Sequence, residues 1–235
     1  MRTIVQISLD VLTVEDAAET AEIALRAGVD WLEAGTPLIV SEGARAIRDL
    51  RARYPRVPVV ADLKAMDGGW LEIQIMAKAG ASLAVVMGQA HDETVESAVK
   101  AGRDFGIGIM GDNMAMPDAV AGAKHLEDLG CGYIVHHIGY DMRTLRRKRG
   151  LPAPTPFDQL REVVRAVSIP VQAVGGLTID QAAETPSYGA PLVVVGAPLV
   201  VGEHALRGPE LEETLRRICQ RVHAYGEIET AEELS

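Results

Sequence analysis

The chain has 235 residues, 48% of them hydrophobic, and a formal net charge of −10. That is enough apolar material for one sizeable core. The acidic balance and an aromatic content of 4% argue against a nucleic-acid partner, which needs cationic surface and stacking platforms.

Cys131 and Cys219 lie far apart with no neighbour at zinc spacing, so both read as small buried residues of a reducing compartment. The opening residues run straight into a strand pattern without a signal-peptide signature, and no apolar run is long enough to cross a bilayer. A soluble cytoplasmic protein with no membrane partner is expected.

In chain order, residues 3–9 alternate as a strand ending at Asp10, and 14–27 have helical spacing closed by Gly28. Residues 31–34 form a second strand, 35–37 a turn, and 42–54 a helix. The apolar run from Val59 reads as a buried parallel strand that stops abruptly in Asp62, Lys64, Asp67, Gly68 and Gly69. Residues 70–79 are helical, 82–87 a strand, 93–104 a helix and 105–110 a glycine-containing fifth strand. A helix over 117–129 leads to a sixth strand at 133–136. Residues 143–156 carry five basic residues and three prolines and read as a long loop or lid. A helix at 157–167, a strand at 171–174 and a tight turn at Gly175 and Gly176 follow. Then come a short helix at 179–184, an eighth strand at 192–195 and a helix at 210–225.

Eight strands alternating with helices, with no break in composition, predict a single (β/α)8 TIM barrel over residues 1–225. Residues 226–235 are then an acidic tail, frayed or packed on a neighbour. An open doubly wound sheet is the alternative. It leaves exposed edges and calls for glycines after the first strand, where Asp10 stands.

In a barrel, the residues at strand ends share one mouth: Asp10, Glu33, Asp62, Lys64, Asp67, His137 and Asp141. Glu33 and Asp62 come from neighbouring strands, so two hard oxygen ligands meet one divalent cation, for which Mg2+ is suited. A plain Glu33–Lys64 ion pair is the alternative. Carboxylates around Lys64 favour its protonated form and disfavour a Schiff-base role. His137 is the candidate proton shuttle. In a regular strand His136 and His137 point to opposite sides. Gly175 and Gly176 after strand seven, and Gly196 with Ala197 after strand eight, lie where barrels hold phosphate. Tight turns without a ligand are the bland alternative.

Asp62-Leu63-Lys64-Ala65-Met66-Asp67 resembles the Asp-x-Lys-x-x-Asp signature of the orotidine 5′-monophosphate decarboxylase suprafamily. The run from Glu33 to Ile39, with the extended run from Ala61 to Gly69, is most similar to the 3-hexulose-6-phosphate synthase branch, a close relative of 3-keto-L-gulonate 6-phosphate decarboxylase. The resemblance implies Mg2+ on Glu33 and Asp62, proton relay by His137 with Asp141 four residues on, and a homodimer in which Asp67 reaches the neighbouring site. It also implies a carbon–carbon lyase acting on a sugar phosphate, most like the union of ribulose 5-phosphate with formaldehyde. Two positions depart from the decarboxylase pattern: Tyr140 stands where that group has arginine, and Ala197 where it has a phosphate-gripping arginine. The basic segment 143–156 is longer than either group leads one to expect. It either closes over the mouth and supplies the missing cation or is a solvated loop. Decarboxylation of a β-keto sugar acid phosphate, a lyase reaction on another sugar, and a non-catalytic binding barrel are the competing readings.

Overall fold

The computed structural model describes residues 1–201 and 204–228. Eight parallel strands close into a barrel in sequence order: β1 (Ile4–Leu9), β2 (Trp31–Ala34), β3 (Val59–Ala65), β4 (Leu83–Met87), β5 (Gly108–Asp112), β6 (Tyr133–His137), β7 (Val171–Val174) and β8 (Leu192–Ala197). β1 pairs with both β2 and β8, so the sheet has no open edge. This excludes the open doubly wound alternative.

Two apolar clusters follow from the period-two alternation of the strands. One set of strand residues, including Ile4, Trp31, Val60, Leu83, Val85, Met110, Val135 and Leu192, fills the lumen. The other, including Val5, Ile7, Leu9, Leu32, Val59 and Ala61, packs outward against the helices. Those helices are α1 (Val14–Ala27), α2 (Thr36–Glu42), α3 (Ala44–Arg53), α4 (Gly69–Ala79), α5 (Asp92–Phe105), α6 (Ala119–Asp128), α7 (Tyr140–Lys148), α8 (Leu160–Ala166), α9 (Ile179–Glu184) and α10 (Gly208–His223). α1 shows the local logic. Thr13 accepts a hydrogen bond from the Asp16 N–H at the start, and Gly28 closes the end at φ 102°, which a side chain would resist.

Four expectations about the helices and the loops between them change, and the fifth strand runs over Gly108–Asp112 rather than 105–110, because Phe105 still belongs to α5. Residues 36 and 37 belong not to a turn but to the first turn of α2, where Pro37 suits a helix start. The helix expected at 42–54 begins after Gly43, which breaks it from α2 at φ 58° and ψ −150°. The loop expected at 143–156 is helical through Lys148, because Met, Arg, Leu and Lys are good helix formers and the prolines act only from Pro152 onward. The helix expected from 157 begins with a 3-10 turn at Pro156–Asp158 before α8.

At the C-terminus, residues 226–228 pair with the chain's own start, rather than fraying. Thr3 N donates to Gly226 O at 3.0 Å and Ile228 N to Met1 O at 2.8 Å. The rest of the acidic tail, 229–235, lies outside the described residues. Cys131 and Cys219 are both buried and unpaired, and burial pushes each thiol up to about 12, so neither is a ready nucleophile. Among the described residues no helix is long and apolar enough to cross a membrane.

Candidate active site

Lumen-facing residues at the carboxyl ends of the strands project into the mouth. Glu33 pairs in register with Ser8 of β1 and Val60 of β3 and is only 7% exposed. Ser8 Oγ donates to its Oε1 at 2.6 Å, and Gln6 Nε2 donates to its Oε2. Gln6 Oε1 accepts from Gln172 of β7 at 3.1 Å, so a buried polar chain crosses the lumen beneath the carboxylate. Burial, reinforced by the charges of Asp62 and Asp10 and only partly offset by Ser8 and Lys64, pushes Glu33 up to about 8.

β3 is irregular where the chemistry lies. Its register against β4 shifts between Ala61 and Ala65, and Lys64 sits at φ 51°, a left-handed conformation costly for a side chain. The departure brings Lys64 Nζ into an ion pair with Asp62 Oδ2. Thr36 Oγ1, at the start of α2, donates to the same carboxylate oxygen at 2.8 Å and accepts from Lys64 Nζ at 3.1 Å. Burial by itself lowers the Lys64 pKa, but Asp62, then Asp112 and Glu33, outweigh it and raise the ammonium above its ordinary value. The lysine is therefore a cation, as the surrounding carboxylates lead one to expect.

Asp10 stands at the end of β1, with Ser8 Oγ 3.2 Å from its Oδ1. Burial lifts its carboxyl, the Ser8 hydrogen bond opposes this, Asp62 adds to it, and Lys64 and His137 oppose it. A Cβ on Gly35 would overlap the Asp10 carboxylate, so glycine there is what lets strand two's loop pass.

β6 carries two histidines with opposite fates, as alternation requires. His136 is buried between Asn113 Nδ2 (3.2 Å from Nδ1) and Pro156 O (3.1 Å from Nε2), and burial lowers its pKa. His137 faces the mouth, its Nδ1 2.8 Å from Asp112 Oδ2. That contact assigns the proton to Nδ1 and leaves Nε2 as the free acceptor. Asp112 is 1% exposed, and its other oxygen accepts from Met114 N at 2.8 Å.

Sequence reasoning missed Asp112 because it ended the fifth strand at Met110. The signal was present: Ile109-Met110-Gly111-Asp112 is another apolar run ending in an acid, and the strand does extend to that acid. Ser8, Gln6 and Thr36 were also missed. For Gln6 and Ser8 the signal was a polar residue at every second place in an apolar strand.

Two expected members lie outside this cluster within the chain. Asp67 is exposed, and its Oδ1 accepts from Gly68 N at 2.8 Å, so it does not join the group around Lys64. Asp141 is exposed in the first turn of α7. Gly175, Gly176 and Gly196 do sit at the mouth: a Cβ on Gly175 would meet Ile138 O at 2.5 Å, and one on Gly196 would stand 3.6 Å from Asp10 Oδ2. The Ala197 side chain is buried, and its carbonyl accepts from Asp10 N at 2.9 Å. At the start of α9, Thr178 Oγ1 accepts from Gln181 N at 3.2 Å and Gln181 Oε1 accepts from Thr178 N at 3.0 Å, so two of its donors are already satisfied.

Among the described residues no group of three or more His, Cys, Asp or Glu side chains stands ready to hold a metal. A magnesium site needs fewer, because that ion binds through one or two carboxylates and keeps water or substrate oxygens. Glu33 and Asp62 fit it. They are all-oxygen donors, their mutual repulsion raises Glu33, and among the described residues no hydrogen bond reaches Asp62 Oδ1.

The arrangement agrees with what the chain is similar to. The family model described as "Orotidine 5'-phosphate decarboxylase / HUMPS family" matches residues 3–203. The 3-hexulose-6-phosphate synthase 2 of Staphylococcus saprophyticus subsp. saprophyticus is 34% identical over 192 residues, covering 81% of this chain and 86% of the relative. The crystal structure of 3-hexulose-6-phosphate synthase from Salmonella typhimurium superposes with a TM-score of 0.82 at 27% identity, over 96% of this chain and 100% of that one. The 3-keto-L-gulonate-6-phosphate decarboxylase of Vibrio cholerae shares the fold at a TM-score of 0.73 and 22% identity, over 94% of this chain and 99% of that one. An Asp-x-Lys-x-x-Asp strand end set in a closed eight-stranded barrel, matched along most of its length by that family model, makes this chain a member of the orotidine 5′-phosphate decarboxylase and HUMPS family.

Proposed function

We propose that the chain is a Mg2+-dependent carbon–carbon lyase of the 3-hexulose-6-phosphate synthase type, joining ribulose 5-phosphate to formaldehyde and running the reverse cleavage. The observation that carries the reading is the acidic pair Glu33 and Asp62 beside a protonated Lys64 and a histidine whose Nδ1 is held by a carboxylate. Similarity to synthases over about four-fifths of the chain supports the choice of reaction.

Glu33 and Asp62 would hold Mg2+, which would supply Lewis-acid stabilisation of charge on the substrate oxygens. The chain's own residues do the rest. His137 Nε2 removes the proton from the carbon beside the carbonyl, and Asp112 stabilises the imidazolium that forms. Lys64 donates to the oxygen that becomes negative as that proton leaves, the point at which a fixed charge lowers the barrier most. The carbon then bonds to formaldehyde, whose oxygen takes up the proton that His137 Nε2 removed, which returns the imidazole to its starting form. Asp10, whose carboxyl feels the Lys64 charge, adds negative charge near it, and Asp141 is offered from the solvent side in the first turn of α7. The backbones of Gly175, Gly176, Gly196 and Ala197 offer close approach to the phosphate.

The assembly is a homodimer in this reading. Met66, Leu71 and Ile75, close to Asp67 in the chain, and Val40 on α2 are large apolar side chains left exposed, and Leu71 and Ile75 lie four apart on one face of α4. A second copy covering that face would receive Asp67 in its site. Two buried, unpaired thiols suit a reducing cytoplasm, and the charge of −10 suits a small-molecule enzyme rather than a nucleic-acid binder.

The test is formaldehyde-dependent consumption of ribulose 5-phosphate with Mg2+ and then with excess chelator. Turnover that disappears on chelation is expected. No consumption with metal present refutes the synthase reading, and CO2 release from 3-keto-L-gulonate 6-phosphate would replace it with the decarboxylase.

A further inference from the structure

The cationic segment after β6 contains one arginine unlike the others. Arg146, Arg147, Lys148 and Arg149 are exposed on α7 and beyond, whereas Arg143 is only 9% exposed. Its Nε donates to Ile138 O at 3.1 Å, which aims the guanidinium, and the Tyr140 ring flanks it at 5.7 Å. Among the described residues no carboxylate pairs with it and no hydrogen bond engages Nη1 or Nη2. Beyond burial, the largest charge effect on it comes from another cation, Arg147. The guanidinium is thus fixed through Nε, while both Nη groups stay, among the described residues, without a protein partner and open to an anion that enters from solvent.

Its position says what that anion is. The guanidinium lies directly against Gly176, where a Cβ would overlap Nη1 and stand 2.7 Å from Cζ, and the glycine is at φ 68°. Gly175 admits the Ile138 carbonyl that orients Arg143 in the same way. The glycine pair after β7 is thus shaped around the arginine from α7. Across the mouth stand the carboxylates of β1, β2, β3 and β5, so the cleft is acidic at one side and cationic at the other. The loop after β8 has Gly196 and Ala197 and offers no side-chain cation there.

We propose that Arg143 grips the phosphate monoester of the substrate, reaching from α7 over Gly176 with its two Nη groups, and so sets the enzyme's preference for phosphorylated sugars. The planar fork matches two phosphate oxygens, which a point charge would not. This deepens the sugar-phosphate reading above and rests on it for the substrate, but not for anion binding at this place.

The probe is inorganic phosphate, titrated calorimetrically into wild-type protein, Arg143→Gln and Arg143→Lys, with ribulose 5-phosphate and unphosphorylated ribulose compared in turnover. Gln keeps a donor for Ile138 O while removing the charge. Phosphate binding should weaken at least about tenfold in Arg143→Gln and less in Arg143→Lys. KM for ribulose 5-phosphate should rise by a similar factor, with no change for ribulose. The Arg143 Nε–H signal of the wild-type protein should also shift as phosphate is added, a readout independent of how the variants fold. Equal phosphate affinity in wild type and Arg143→Gln, or an unmoved Nε–H signal, overturns the assignment. A wild type that binds phosphate through Arg143 yet turns over no ribulose 5-phosphate would refute the proposed reaction alone.

Discussion

Replacing Glu33 by Gln should cost activity and, without metal, increase stability at high pH. Glu33 is raised from 4.5 to about 8 in the folded chain. A carboxyl with a raised folded-state pKa favours folding only while protonated, so its contribution is intact below about pH 4.5 and is lost as pH rises through about 8. Each pH unit in that window weakens the folded state by about 1.4 kcal/mol, giving a ceiling of roughly 5 kcal/mol. The glutamine variant avoids ionisation but disrupts one of the two hydrogen bonds from Ser8 and Gln6, which takes back about 1–2 kcal/mol. The expected net gain in urea denaturation with chelator present is at most about 3–4 kcal/mol near pH 8.5, and near pH 5 it becomes a loss of up to about 1 kcal/mol. Added Mg2+ should stabilise the wild type more at the higher pH, where it does not compete with a proton, and should leave Glu33→Gln nearly unaffected. Parallel stability curves for the two proteins from about pH 5 to 8.5 would show that Glu33 is not a strained acid, and a full Mg2+ response in the variant would remove it from the metal site.

Three further outcomes are expected. Asp112→Asn keeps the size but loses the charge that holds His137 Nδ1–H. Turnover should fall by about 10²–10⁴ with the thermal melt little changed, and an unaltered pH–rate profile would count against the pairing. Arg51 binds Gly80 O, Pro55 O, Val57 O and Ser82 Oγ at 2.6–3.0 Å, so Arg51→Ala should cost about 2–4 kcal/mol in urea denaturation, whereas less than about 1 kcal/mol would mean water replaces it freely. For the proposed homodimer, Leu71→Glu should give monomers in sedimentation and lose activity along with it; a stable, active dimer would place the interface elsewhere.

Much of this molecule could be read from pattern. β2, β7, α1 and α9 have the predicted limits, because an apolar strand, or a helix marked by a cap such as Gly28 after α1 or Thr178 before α9, carries its signal locally. The acids and the lysine at strand ends were likewise visible, since a charged residue that interrupts an apolar run marks where the strand leaves the core. α7 was misread because its charges and the prolines beyond it outweighed the helix propensity of its own residues.

The alternation of strand and helix, hence the barrel, and the charged groups that close β1, β2 and β3 follow from the order of residues along the chain. Only the tertiary structure decided which of them meet. His137 finds Asp112 across 25 residues and Gln6 finds Gln172 across 166, while Asp67 and Asp141 turn to solvent. Lys64 reaches Asp62 through a left-handed backbone that no propensity foretells, and Arg143 is buried against Gly176 by the packing of one βα loop on the next. Periodicity is a property of neighbours in the chain, whereas these contacts are set by barrel closure, which joins residues the chain keeps far apart.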